Sequence, residues 1–230
     1  LDRTRYAIVT LARRTALAAI VLVAAQHGAE AGRLAGSLSG IADATLQRLM
    51  LASPAGWASG ARILGLALLF AALRESANAR AVIAVAGTAL IGASYGWVGH
   101  IASHPQRWLL APVLATHVAV AAFWFGGLAP LLKVISHEPH ATAGRIVARY
   151  SLLATWLVPL ILLAGLGLAT ALSPGFLLLS SPFDRLLSVK LAAFGLLMAL
   201  AATNKWRFAP RVASADGDSA RALRLTIRLE

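Results

Sequence analysis

Cysteine is absent from all 230 residues, and only two methionines occur, Met50 and Met198. Disulfides and thiolate metal sites are thereby excluded, so any metal must be held by imidazole, thioether or carboxylate. Acid is scarce as well: 9 Asp and Glu stand against 21 Lys and Arg, a formal net charge of +12. Charged residues of both signs make up 13% of the chain, about half of what a soluble domain carries. No phosphate-cradling glycine loop and no nucleophile–base constellation occurs, which argues against an ATPase and against an enzyme.

What the chain has instead is hydrocarbon, with 59% of its residues hydrophobic. Apolar stretches of membrane-spanning length recur, and none shows the short alternating segments of a β-barrel. The fold class is therefore all-α, a polytopic transmembrane helical bundle. Six spans are expected: Thr15 to Gln26 with an upstream extension from Tyr6, Trp57 to Leu73, Arg80 to Gly99, Trp108 to Leu132, Tyr150 to Leu172, and Phe183 to Trp206. Arg and Lys gather in alternate connections, at Arg3 to Arg14, Arg74 to Arg80, Lys133 to Arg149 and Lys205 to Arg211. The positive-inside rule then places both ends of the chain in the cytoplasm. This distribution accounts for the positive charge without nucleic acid, for which no basic face with stacking aromatics exists.

Residues 1–212 read as the bundle. Within it, the outer segment at about 37–53 carries apolar residues at helical spacing and is expected to lie as an amphipathic helix in the interface. Residues 213–230 are polar, with a basic amphipathic stretch, RALRLTIRLE, at the end.

Polar side chains inside spans single out candidate sites. His117 lies nine residues past Trp108, roughly 14 Å along a helix and near the middle of an apolar layer about 30 Å thick. Burial favours the neutral imidazole, which is also the metal-binding form. His117 shares a helix face with Val120, Ala121, Trp124 and Leu128, and Gly126-Gly127 allows close packing at the inner end. His27, His100 and His104 cluster toward the outer side, and His100 and His104 share a face only if the third helix runs on to Ser103. Lys190, Phe194 and Met198 form another stripe, with Asn204 near it. Arg62 is expected to snorkel outward. Trp57, Trp97, Trp108 and Trp206 read as interface belt residues, whereas Trp124 and Trp156 sit deeper.

Several stretches, taken in order, resemble a known family, the bacterial membrane protein copper-resistance protein D. They are AAQHGAEAGRLAGSLSG, SPAGWASGARILGLALL, GWVGHIASHP, WLLAPVLATHVAVAAFWFGGLAPL and FDRLLSVKLAAFGLLMALAATNKWRFAPRV. Phe183-Asp184 departs from the tyrosine-glycine expected before the last of these. The resemblance implies an eight-span fold whose first and last spans are absent here. It also implies handling of a copper ion delivered by a periplasmic copper-binding protein, copper-resistance protein C. By position it assigns His100 and His117 as ligands, with His104 and His27 as acceptors at the outer mouth. Lys190, Asn204, Trp124, Met198 and Met50 become supporting or cavity-lining residues, and membrane lipid is the surrounding partner. Two other readings remain open: a b-type haem protein bracketed by His100 and His117, and a structural or assembly subunit whose histidines only hydrogen-bond.

Overall fold

An apolar chain in lipid must satisfy its amides within each segment, because hydrocarbon offers no partner to a free N–H or C=O. The computed structural model, which describes residues 2–173, 182–208 and 223–227, is helical with no strand among those residues. Its elements are α1 (Asp2–Ala35), a 3-10 turn (Leu38–Ile41), α2 (Ala44–Leu51), α3 (Pro54–Ala72), α4 (Ala77–Ser94), α5 (Arg107–His137), α6 (His140–Leu172), α7 (Pro182–Thr203) and a π turn (Asn204–Phe208). Residues 223–227 add one more helical turn. Among the described residues, six helices are long and apolar enough to cross a membrane, in agreement with the six expected spans.

Two boundaries differ from expectation. As expected, α1 continues across Arg13-Arg14, but it runs unbroken for 34 residues and ends at Ala35, well beyond Gln26. The third span ends earlier than Gly99, because α4 stops at Ser94 and Gly99 takes a left-handed φ of 77°. The condition under which His100 and His104 share a helix face is therefore not met, and both lie in a loop of successive turns.

The chain divides into two compact units, Leu1–Ile8 with Val120–Glu230, and Val9–Ala119. In the second unit, α3 and α4 cross at glycine on glycine. A Cβ at Gly65 would lie 2.6 Å from the Gly87 carbonyl oxygen, and one at Gly87 would lie 2.7 Å from that of Gly65. Apolar side chains gain little by leaving lipid for protein, so such close backbone approach is what holds spans together. Arg62, expected to snorkel, is instead tied between these helices. Its Nε donates to Ser94 Oγ at 2.9 Å and its guanidinium lies 4.7 Å from the Tyr95 ring centroid. Ser94 is fully buried.

The outer segment forms only the 3-10 turn and the eight-residue α2, capped by Asp43, whose carboxylate accepts from the N–H groups of Thr45 and Leu46. Of its apolar residues Met50 is buried while Ile41 and Leu49 are exposed. Gly56 of α3 lets the end of α2 rest on it, since a Cβ there would meet the Met50 and Leu51 carbonyl oxygens at 2.4 and 2.5 Å.

In the first unit, α5, α6 and α7 pack around Trp124, Leu128, Leu131, Val147 and Val158. Leu223 and Ile227, from the stretch expected to be a polar tail, are buried in the same core. Large apolar residues on the other faces, such as Leu152, Trp156 and Leu163, are exposed, as lipid-facing positions should be.

Gly65→Leu should cost about 1–3 kcal/mol through overpacking, read as a lowered thermal midpoint in detergent. Gly60→Ala, where a Cβ meets nothing within 4 Å, should leave the midpoint unchanged or slightly raised.

Candidate functional site

The four candidate imidazoles all fall in the unit Val9–Ala119. His27 is carried by α1, His100 and His104 by the turns between α4 and α5, and His117 by α5, eleven residues into that helix. His100 is exposed and His104, His117 and His27 are half-buried. His104 Nδ1 accepts the Gln106 backbone N–H at 3.1 Å, which fixes its ring within the loop. His27 Nε2 is buried and takes no hydrogen bond among the described residues. Among the described residues, no three His, Asp or Glu side chains come together as a metal-holding group.

Trp124 of α5, the named residues of α7 and Asn204 fall in the other unit, which holds a cavity of about 240 Å³. Trp124, Met198 and Asn204 are all on its wall. Trp124 is 2% exposed and meets Phe194 edge-on at 6.0 Å. Lys190, at the far end of the same α7 stripe, is exposed and stays out of the cavity. Trp156, also expected to lie deep, is 74% exposed.

Sequence reasoning missed the residues that shape this wall. Tyr150, read as the start of a span, donates its hydroxyl to the Trp124 carbonyl at 2.6 Å. Its ring lies against Gly127, where a Cβ would fall 2.4 Å from Tyr150 Cε2. The close packing expected at Gly126-Gly127 is thus with a side chain, and at Gly127 alone, since Gly126 has nothing within 4 Å. Asn204, on the π turn, accepts from the Thr226 hydroxyl. Pro159 sits inside α6 on the same wall and has no N–H to return to the carbonyl four residues earlier. Only paired long-range positions such as Asn204 and Thr226 carry this information, and a single sequence does not display them.

Two acidic groups are also placed. Asp184 is buried and accepts from Ser173 Oγ at 3.1 Å. Glu138, in the link between α5 and α6 and outside the spans, is held below the ordinary carboxylate range, first by a hydrogen bond from the Thr4 side chain.

These features define an all-α polytopic membrane protein whose spans carry embedded polar side chains. Residues 144–230 match the family model of copper resistance protein D, so over that stretch the chain bears the family resemblance read from its sequence. No curated protein and no solved structure is matched. The matched stretch covers α6 from Gly144 onward, α7 and residues 223–227. It contains Lys190, Met198 and Asn204 but no histidine.

Tyr150→Phe removes one hydrogen bond and should cost about 0.5–1.5 kcal/mol, while Gly127→Leu should cost more by expelling the ring. Because both act on one contact, the thermal-midpoint losses of the double variant should fall short of their sum; simple additivity would show that Gly127 and Tyr150 are uncoupled.

Proposed function

We propose that this is a copper-handling protein of the bacterial inner membrane that accepts copper from a periplasmic copper-binding protein like copper-resistance protein C. The match of residues 144–230 to a copper-resistance family carries this reading. Copper is the cargo, and the protein performs no covalent chemistry on it.

Both ends of the chain face the cytoplasm, which follows from the alternation of basic and near-neutral connections. His27, His100 and His104 then receive copper on the periplasmic side, and His117 takes it within the span. Neutral imidazoles in an apolar setting discriminate against hard cations such as Mg²⁺. A transported ion also has to leave each site, so open, low-denticity stations suit transport better than a closed cage. The separate placement of the four histidines agrees with stations of that kind. The buried Nε2 of His27, without a hydrogen-bond partner among the described residues, offers one candidate donor.

The test is copper analysis with an absorption spectrum on the purified protein, repeated for His117→Ala. Near-stoichiometric copper in the parent, falling at least about tenfold in the variant, is the expected result. A parent that binds no copper sinks the proposal, and a Soret band would turn it toward haem.

A further inference from the structure

The cavity between α5, α6 and α7 has a chemistry that copper handling does not use. Three of its polar wall groups are already engaged: Tyr150 with the Trp124 carbonyl, Thr155 with the Ser151 carbonyl at 2.7 Å, and Asn204 with Thr226. What faces the space is mainly aliphatic and aromatic, and its volume is about 240 Å³. A cavity of that kind does not hold water well and takes hydrocarbon readily.

One end differs. The π turn after α7 brings Lys205 and Trp206 to the lining, and Lys205 is the only charged residue among the described residues that line the cavity. The ammonium lies 5.9 Å from the Trp206 ring centroid and makes no ion pair among the described residues. Trp206 is 75% exposed. Tryptophan and lysine at a helix end mark headgroup depth. A hydrocarbon slot that opens beside a cation with no ion-pair partner among the described residues, at headgroup depth, matches a molecule with an acyl chain and an anionic head.

We propose that this cavity is a binding site for an anionic phospholipid, with one acyl chain against Trp124 and Met198 and the phosphate beside Lys205. Charge complementarity at the mouth selects the headgroup, since basic residues at the membrane surface attract acidic lipids. The proposal does not depend on copper binding.

Native mass spectrometry of the full chain from detergent, offered phosphatidylglycerol, phosphatidylcholine or oleate, tests it. The expected result is one retained phosphatidylglycerol, little phosphatidylcholine, and loss of retention in Ala201→Phe, which fills the slot. Lys205→Glu, at a helix end where folding is not at stake, should weaken phosphatidylglycerol retention by about tenfold. No retained phosphatidylglycerol, equal retention of phosphatidylcholine, or undiminished retention by Lys205→Glu would each overturn the site. Retention of oleate alone would overturn the phospholipid assignment in favour of a free fatty acid.

Discussion

A backbone crossing hydrocarbon has no water to fall back on, and nearly every feature of this protein follows from that. Closing each amide within its own helix is the economical solution, which is why α1 continues straight through Arg13-Arg14. Two charges at an interface cost less than a helix break that leaves carbonyls and N–H groups unpaired in lipid. Once the helices exist, solvophobic association is weak, because lipid tails are as apolar as leucine. Cohesion must then come from contact, and contact improves where side chains are missing. Gly65 on Gly87, Gly56 under the end of α2, and Gly127 under Tyr150 each place a missing Cβ where a neighbour already stands.

The same constraint governs the polar side chains. Three of them find a neutral partner that shares a proton or lone pair. Arg62 uses the Ser94 hydroxyl, Asp184 the Ser173 hydroxyl, and Asn204 the Thr226 hydroxyl. Hydroxyls suit this role because they donate and accept alike and carry no charge that must itself be buried. Arg62 further lies over Tyr95, where a weakly hydrated guanidinium gains from the ring face. The outcome is a set of helix-to-helix ties added to the glycine contacts.

The spans were legible because hydrocarbon length is a composition signal spread over about twenty residues, so single-residue surprises scarcely move it. Helix ends were less so. Nothing local marks Ser94 as the end of α4 or separates Gly99 at positive φ from the helical glycines Gly87 and Gly92, and the early end leaves His100 and His104 off the helix. Arg62 looked like a snorkelling residue because a sequence shows the cost of a buried charge but not the hydroxyl 32 residues away that offsets it. Trp124 and Trp156 lie at similar apparent depth in their spans, yet one is 2% and the other 74% exposed. Depth is readable from a run of apolar residues, but the face turned inward is not when apolar residues surround the whole helix.

The family likeness and the four candidate imidazoles occupy different parts of the chain, which constrains how the proposed copper handling would be divided. Residues 144–230 contain no histidine and no cysteine, and their one soft donor is Met198. Met198 stands on the wall of an apolar cavity beside Trp124, where a cation without further ligands would lose its hydration for a single thioether. That stretch is therefore better suited to building the helical scaffold and holding hydrocarbon than to coordinating an ion. On the proposed reading copper would then be held by the preceding part, where imidazole nitrogens sit on α1, on the loop before α5 and within α5 itself. An ion held by such dispersed donors is bound weakly at each, and weak successive binding is what passage, as opposed to storage, requires.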